Sequence, residues 1–583
     1  METKKRKYGL DSDFITKGEL IGIAVITALY AFISQVFFLV PINLRSESFW
    51  ITVFFYLLIV VFYTGMYCSE VYSGKGIFKI SLLVTILWVV AFLFLEFISL
   101  PLFHAKAYSE LITIEDGDMQ ADLPDMSKDP IAFVDDLSAQ NIGDRQIAAV
   151  DKSTFYNVDD QYNLIKYNGK YIRVSSLNYG GFDKAWMSDS IPAYIEVEAT
   201  NKGRKQAAAA VTLNEPIVYS ESDYCRQDLM RHIHFKYPTA ILDSAFFEIN
   251  DNGTPCQIIP TQKPTIGFFG GKVEKEIIIN NAATGDTEMY ANEDVPEWVD
   301  HAHSVENTMK LLDYHFVYKN GFLNTIWGKV DVFRTSYHYR DINGREEADE
   351  EVIENQFTPF AGYSYMIAKD GDIYMYTGIT PDNTAESNKG FVLVNTRTQK
   401  AKYYEFPGAE ESSAQNAAEG LVSDLRYSAS FPSIATVDGE ATFFMVLKDS
   451  AGLVHRYSIC NMKNYSEVVE ADTIDKAITL YRGKVFVSKD PQDKTTEIVY
   501  EEESATEGIE TFKATGRVLK VTTAEVGGYT NYYFMFEGDE HVYVSSIANS
   551  SKQPMLLVNG INIDVEYYDS GEEGIRIVTS IDF

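Results

Sequence analysis

Three long apolar runs near the N-terminus dominate the pattern of hydrophobic and polar positions. They span residues 20–40, 49–68 and 80–100, and Glu96 is the one charged residue in them. A helix of about 20 apolar residues crosses a hydrocarbon core of roughly 30 Å. Trp50, Tyr63 and Tyr67 lie toward the ends of the second run, where aromatic rings prefer the membrane interface. The pattern predicts a transmembrane anchor of three helices in residues 1–103.

Basic residues near the ends of these runs predict the orientation in the membrane. The first loop carries only Arg45, whereas the tail and the second loop carry Lys4, Lys5, Arg6, Lys7, Lys17, Lys75 and Lys79. Because cytoplasmic segments are enriched in Lys and Arg, we expect the N-terminus in the cytoplasm and the large C-terminal region outside it. A cleaved signal peptide is disfavoured, since the first run starts late, is too long and lacks a small-x-small site after it.

Glu96 leaves two interpretations open. An acid inside a membrane helix is by default a functional candidate. Its position near the outer end of the third run favours the simpler interpretation, in which the carboxylate reaches the interface. Three helices with so few polar side chains predict an anchor rather than a channel or transporter.

Beyond the anchor, the pattern changes to short strands with intervening helices. Residues 104–150 are polar and acidic, which predicts a connector with a short helix at 131–140. Residues 162–174 form two alternating runs around Asn168-Gly169, a strong hairpin signal. Further hairpins are predicted at 192–211, 270–290, 389–405 and 441–459, and helices at 296–312, 409–425 and 470–481. This alternation predicts an α+β region over residues 151–510.

Three of these hairpins share one pattern. The sequences PAYIEVEATNKGRKQAAAAV, GGKVEKEIIINNAATGDTEMY and KGFVLVNTRTQKAKYYE each give a strand, a polar turn and a returning strand. The pattern resembles the PepSY unit, a small α+β module of protease propeptides and bacterial extracytoplasmic proteins. The layout also resembles uncharacterised membrane-anchored proteins of Gram-positive bacteria, in the strings DVPEWVD, GFVLVN and LKDSAGLV. The resemblance implies a regulatory or binding role and supplies no catalytic residues.

Residues 511–583 predict a separate C-terminal domain. Five short strands in some 70 residues fit a small β-barrel similar to an OB-fold. Some OB-folds bind single-stranded nucleic acid through aromatic side chains in a basic groove. Tyr529, Tyr532, Tyr533, Phe534 and Phe536 supply the aromatic rings, but Glu537, Asp539 and Glu540 supply the opposite charge. A purely structural barrel is therefore favoured.

The distribution of charge narrows the classes of partner. The first 103 residues hold 8 of the 50 basic and 7 of the 83 acidic side chains, which leaves 42 and 76 beyond them, a net charge of −34. A surface of that sign repels phosphate backbones and anionic lipid headgroups, so we expect no nucleic-acid partner. The acidity itself needs no function beyond solubility.

Candidate chemistry is sparse. His232 and His234 share a face if they lie on a strand, whereas on a helix the spacing of His301 and His303 weakens a metal site. The motifs HExxH, GxSxG, GxGxxG and the Walker loop are absent from the sequence. Cys225 and Cys256 form a disulfide or remain free thiols. The sequence therefore predicts no catalytic, cofactor-binding or metal-ligating residue.

Two functional hypotheses survive. The first is a membrane-tethered binding or regulatory protein outside the cytoplasm, which acts through a protein or cell-envelope partner and not as an enzyme. The second is a surface hydrolase whose site combines His232 and His234 with a carboxylate from elsewhere in the fold.

Overall fold

The computed structural model of the protein describes residues 17–70, 75–200, 207–224, 227–336, 338–340, 346–348, 365–381, 387–450, 452–483, 512–526, 529–539, 541–546, 557, 560–569 and 575–582. The chain divides into two units, Met1–Val468 and Val469–Phe583.

The first unit begins with the three predicted apolar helices, α1 (Lys17–Val36), α2 (Glu47–Glu70) and α3 (Lys75–Ser99). Within the described residues, two stretches are long and apolar enough to cross a membrane, Glu47–Met66 and Ile77–Ser99. Only 11% and 6% of these stretches is buried by protein, unlike the core helix of a soluble protein. The apolar part of α1, Ile21–Val36, is shorter. The predicted run to residue 40 ends at Val36 because the backbone turns at Leu39, whose φ is 48°, and Pro41 follows.

The other helices of the first unit are α4 (Pro101–Ser109), α5 (Met119–Asp122), α6 (Asp136–Gly143), α7 (Phe182–Met187), α8 (Leu229–Lys236), α9 (Val305–Tyr318), α10 (Phe322–Ile326) and α11 (Glu411–Leu421). Its strands are β1 (Ile114–Asp116), β2 (Tyr156–Val158), β3 (Asn163–Tyr167), β4 (Lys170–Ser175), β5 (Leu177–Tyr179), β6 (Ile191–Glu198), β7 (Ala208–Ile217), β8 (Ile241–Leu242), β9 (Phe246–Ile249), β10 (Pro255–Ile266), β11 (Gly270–Asn281), β12 (Thr287–Ala291), β13 (Phe333–Thr335), β14 (His338–Arg340), β15 (Glu346–Ala348), β16 (Tyr365–Lys369), β17 (Asp372–Pro381), β18 (Ser387–Asn395), β19 (Ala401–Ala409), β20 (Ser428–Ala429), β21 (Ser433–Val437), β22 (Glu440–Lys448) and β23 (Val454–Asn461). Strand β24 (Val468–Ala471) lies at the boundary between the units.

These strands form four main sheets. The first has the order β3-β4-β6-β7, and the second has the order β12-β11-β10 with β8 and β9 both on β10. The third runs β1-β19-β18-β17, where β17 also pairs with β13 and β16. In the fourth, β22 pairs with β20, β21 and β23. The α+β prediction is therefore confirmed.

All five predicted hairpins are present. The turn between β3 and β4 has positive φ at Asn168 (50°) and Gly169 (75°), the backbone of a type I′ turn that Asn-Gly favours. The hairpins β6-β7, β11-β12, β18-β19 and β22-β23 correspond to the other four predicted pairs.

A helix followed by an antiparallel meander occurs four times in the first unit. Helices α6, α8, α9 and α11 precede the first, second, third and fourth sheets, respectively. Each helix buries apolar side chains on the sheet that follows it: Ala139 lies with Ile195, Ile233 with Ile278, Met309 with Val394, and Ala414 with Phe443. The three hairpins that share a sequence pattern thus belong to three different copies of one arrangement.

The third sheet is covered on both faces. On β18, Val392 and Val394 face α9, while Phe391 and Leu393 join the cluster that contains α11 and the fourth sheet. Alternate side chains of a strand point to opposite faces, so a sheet between two layers needs the nearly continuous apolar run found here.

Residues 104–150 differ from the predicted acidic connector. Strand β1 pairs in parallel with β19, and α4 packs against α9. Phe133 and Val134 are fully buried, and the Phe133 amide donates to the Ala199 carbonyl. The apolar residues of this segment fill gaps between distant elements. Their spacing along the sequence follows neither the helical nor the strand period. The helix predicted at 131–140 corresponds to α6, which begins a few residues later.

The predicted helix at 296–312 is displaced. Helix α9 starts at Val305 because Ser304 caps it, accepting a hydrogen bond from the Asn307 amide, and it ends at Tyr318. Residues 296–303 precede the helix, and the buried Glu248 carboxylate on β9 accepts the amide hydrogens of Asp300 and His301. The other two predicted helices correspond to α11 and to α12 (Ile474–Arg482).

The second unit holds α12 and a closed five-stranded barrel of β25 (Phe512–Val526), β26 (Tyr529–Phe536), β27 (Val542–Ser546), β28 (Asn562–Asp569) and β29 (Ile575–Asp582). The order around the barrel is β25-β26-β27-β29-β28, with β27 and β29 parallel. Val518, Phe534, Tyr543 and Val578 fill its interior. The prediction of a small C-terminal barrel is confirmed.

Candidate functional site

A small cleft, with a cavity volume of about 30 Å³, opens between the first and second sheets. Leu177, Ile217, Ala245 and Phe247 form its apolar lining. Its polar lining consists of Asp159, Gln161, Ser176, Asn178, Ser220, Glu221 and Gln257. The described lining residues include no lysine or arginine, and they present carboxylates and hydrogen-bonding groups on an apolar base.

Asp159 is held in place by the strands that border the cleft. Its carboxylate accepts hydrogen bonds from the Gln161 amide at 3.1 Å and from the Asn178 side chain at 3.0 Å. The Ser175 hydroxyl donates to the Asp159 carbonyl, and the Asp159 amide donates to the Ser176 carbonyl. Both the backbone and the side chain of Asp159 are therefore fixed, as a preorganised binding group requires.

Glu221 is the second carboxylate of the cleft. Glu221 is exposed to solvent, but nearby protein atoms displace part of the water around its carboxylate. This partial desolvation raises the pKa of Glu221, and the nearby negative charge of Asp159 raises it further. A positively charged ligand group between the two carboxylates would relieve both effects.

Buried amides support the floor of the cleft. The Gln257 side chain donates to the Tyr219 carbonyl at 2.7 Å and accepts from the Asn280 side chain at 2.7 Å. Gln257 on β10 and Asn280 on β11 face each other in register, which aligns the two amides. This pair ties the floor to the strand pairing of the second sheet.

His232 and His234 do not form a shared site. Both lie on α8 and not on a strand, so a spacing of two residues directs them to different sides of the helix. The His232 ring donates to the Gly285 carbonyl and packs on Tyr219, whereas the His234 ring donates to the Gln35 side chain. The condition of a strand is not met, because Asp228 caps the string RHIHF as a helix, although its polarity alternates.

His301 and His303 lie in the segment that precedes α9, where the first, second and third sheets meet. The His301 ring donates to the Leu164 carbonyl of the first sheet, and Thr396 of the third sheet accepts the Ala302 and His303 amides through its carbonyl. Burial lowers the pKa of each histidine to about 4. Both rings are therefore neutral parts of the core at pH 7.

Two buried glutamates hold the same segment. Glu248 on β9 accepts the amides of Asp300 and His301 at 3.0 and 2.6 Å. Glu274 on β11 contacts the His303 ring at 2.9 Å. Burial raises the pKa of Glu248 well above its usual range and that of Glu274 to about 9, with the Asp243 carboxylate adding to the second effect. These acids serve as hydrogen-bonding groups of the core.

Among the residues that the structure describes, no three His, Cys, Asp or Glu side chains are grouped to hold a metal ion. Cys256 and Cys460 are buried, and burial raises the pKa of each thiol to about 12. Cys225 lies outside the described residues, so the disulfide with Cys256 stays a prediction.

The apolar helices join the rest of the first unit at one end. Arg231 on α8 donates to the Val36 carbonyl at 2.8 Å, and Arg45 donates to the Pro264 carbonyl at 2.9 Å. Lys272 pairs with Glu47 at 2.9 Å. Glu96 lies within electrostatic range of that pair.

The tip of the β10-β11 hairpin completes this junction. The Ser99 hydroxyl accepts the amides of Phe268 and Phe269 at 2.9 and 3.1 Å. A Cβ atom at Gly267 would lie 2.7 Å from the Ser99 backbone, and one at Gly270 would lie 2.8 Å from the Ser99 carbonyl. The string GFFGG could have indicated such a close approach, but the sequence does not name the surface that it meets.

The cleft could not be predicted from the sequence. Its two carboxylates lie in loops that match no known motif, and only the fold brings them together. Comparison with known proteins adds no identification: the chain matches no family model and no curated protein sequence.

Proposed function

We propose that this protein is a membrane-tethered, extracytoplasmic binding protein whose cleft takes a positively charged group of a protein or cell-envelope partner. The observation that carries the proposal is the convergence of Asp159 and Glu221 in a preorganised cleft, on a unit that is fixed to apolar helices.

Three membrane-spanning helices fit this arrangement. The C-terminal end of α1, the N-terminal end of α2 and the C-terminal end of α3 all contact the folded part of the first unit. Lys75 and Lys79 belong to the opposite end of α3. The excess of basic residues at that end supports a cytoplasmic location there and an extracytoplasmic location for the folded part.

The PepSY resemblance is supported by the four successive arrangements of a helix and an antiparallel meander. Such a unit has no chemistry of its own, so its use is binding or the control of a partner's activity. Because the arrangement of a helix and a meander repeats, several sheets lie beside one another. The cleft lies between the first and second of them. We interpret the repeats as the scaffold that creates the binding surface.

Electrostatics favours a basic partner. Residues beyond 103 carry a net charge of −34, which steers cations toward the surface and repels polyanions. Asp159 and Glu221 then determine where the positive charge of the partner binds. A free amino group, or the terminal amino group of a lysine side chain, carries the charge that Asp159 and Glu221 would bind.

Photo-crosslinking in native membranes tests the proposal. A photoreactive phenylalanine analogue replaces Gln161, at the rim of the cleft, in the full-length protein. The matched control carries it at Lys170, an exposed position at the hairpin turn of the same sheet. We expect a specific adduct from position 161 only, lost when Asp159→Asn and Glu221→Gln are combined and weakened by added salt. Equal adducts from both positions, or adducts that persist without the carboxylates, would refute the role of the cleft.

A further inference from the structure

Exposed apolar side chains on the folded part of the first unit are concentrated in two places. The first group, the α7 patch, contains Phe182, Trp186, Met187 and Tyr224, which are 50–74% exposed. The second group, the α10 patch, contains Leu323, Trp327 and Val330, which are 58–71% exposed. A soluble surface rarely groups so many large apolar side chains, and such groups mark contact sites.

The α7 patch adjoins the end of α1. Arg231 donates both to the Val36 carbonyl, where α1 ends, and to the Tyr224 carbonyl at 3.1 Å. The Tyr224 ring lies 5.5 Å from the Phe182 ring, which in turn lies 6.0 Å from that of Trp186. One guanidinium group therefore bridges the end of an apolar helix and the patch.

The α10 patch adjoins the end of α3 in the same way. Tyr108 on α4 donates to the Ser99 carbonyl, the last residue of α3, at 2.5 Å. The Tyr108 ring lies 6.4 Å from that of Tyr318, and the Tyr318 ring stacks on Phe322 at the start of α10. Leu323 and Trp327 follow directly in the sequence.

We infer that the two patches rest in the interface of the same bilayer that the apolar helices cross. Tryptophan and tyrosine rings prefer the headgroup level, and both patches adjoin helix ends at which the membrane should stop. Helix α7 carries one charge of each sign, Asp183 and Lys184, and the net charge of −34 beyond residue 103 disfavours anionic headgroups. The ligand is the apolar interface of a neutral lipid surface. The inference rests on the proposed membrane anchor.

The role of such contacts is to fix the height and tilt of the cleft above the membrane. The junction at the helix ends ties the folded part by hydrogen bonds, by the ion pair of Lys272 with Glu47, and by packing of Phe268 and Phe269 on the Trp50 ring. Two lateral apolar contacts, one beside α1 and one beside α3, would add the support that prevents rocking about that junction.

Tryptophan quenching by lipid tests the inference. The full-length protein is placed in nanodiscs of phosphatidylcholine with brominated acyl chains, or unbrominated chains for reference. Single substitutions Trp186→Phe, Trp327→Phe, Trp298→Phe and Trp88→Phe identify the emission of each residue by difference. Trp88 lies within the predicted span on α3, and Trp298 lies in the segment before α9.

We expect bromine to quench the emission of Trp88, Trp186 and Trp327 at least twofold and to leave Trp298 unaffected. Quenching of Trp88 without Trp186 and Trp327 would overturn the inference but leave the anchor intact. If Trp186 is not quenched and its emission shifts to the blue when two copies share a nanodisc, the α7 patch binds a second copy of the protein. Unquenched Trp88 would overturn the proposed membrane anchor itself.

Discussion

Buried acids of the first unit and a partly exposed acid of the barrel take opposite charge states. Glu248 and Glu274 are at most 1% exposed, and burial raises their pKa values far above normal. In the barrel, burial opposes the ionisation of Asp539, but hydrogen bonds from His541 and Tyr543 hold its pKa at about 2. The difference follows first from desolvation, which is far greater at the two buried glutamates, and then from the hydrogen bonds that His541 and Tyr543 donate to Asp539.

This contrast changes how the charge of the chain should be understood. A charge count from the sequence treats every carboxyl as ionised, whereas burial in the fold favours the protonated forms of Glu248 and Glu274. The acidic character relevant to a partner belongs to the remaining exposed groups, including the two that line the cleft.

The largest effect should come from Glu248→Ala. The substitution leaves the amides of Asp300 and His301 buried without an acceptor, and each such loss costs about 1–3 kcal/mol. We expect a loss of about 3 kcal/mol in the unfolding free energy of the first unit, measured by urea denaturation of the full-length protein in micelles. Glu248→Gln keeps an acceptor oxygen and is the matched control. Equal losses of unfolding free energy in both variants would contradict this account. They would show that Glu248 does not stabilise the protein by accepting these amide hydrogens.

A smaller, pH-dependent effect is expected for Glu274→Gln. Folding raises the pKa of Glu274 to about 9, so the folded state retains a proton that the unfolded state releases above about 4.5. The stability from this group is full below that lower pKa and is lost as the pH rises through about 9, by up to about 1.4 kcal/mol per pH unit.

Glutamine cannot ionise, so this variant should show a flatter stability profile in urea titrations between pH 7 and pH 9. That window avoids the titration of His301 and His303, whose depressed pKa values act at acidic pH. An unchanged alkaline slope in Glu274→Gln would mean that Glu274 is ionised in the folded protein.

The smallest effect is predicted for Asp539→Asn in the barrel. Asparagine keeps one acceptor for the His541 and Tyr543 donors but loses the charge, which should cost about 1 kcal/mol. The lowered pKa of Asp539 stabilises the barrel above about pH 4, and this contribution is lost as the pH falls through about 2.

Hydrogen exchange of peptides from residues 531–546 should detect this change, and peptides from the first unit serve as the internal reference. Faster exchange in both units would contradict the local role of Asp539. Protection that does not change at either pH would contradict its ionised state.

The sequence predicted the elements with strong local signals. Asn168-Gly169 indicated its turn because both residues tolerate positive φ. The alternation of apolar and polar residues indicated the strands of the other hairpins and of the barrel. The helix at 296–312 was misplaced because the carboxylates that hold residues 300–304 come from β9 and β11, far away in the sequence. Local signals cannot show such partners.

The candidate site could not be predicted for the same reason. Asp159 and Glu221 are 62 residues apart and converge only when the first sheet packs beside the second. The packing of residues 104–150 was missed because Phe133 and Val134 fill a gap between distant elements. It follows that a soluble fragment should begin near residue 104 and not near residue 150.

The central claim is that the cleft-bearing part of the protein is tethered outside the cytoplasm. Protease added to intact protoplasts tests this directly, with a cytoplasmic protein as the control for lysis. The account predicts digestion of the chain beyond about residue 104, with the apolar helices left in the membrane as a small fragment. Full protection of the large region in intact protoplasts, with digestion after lysis, would contradict it.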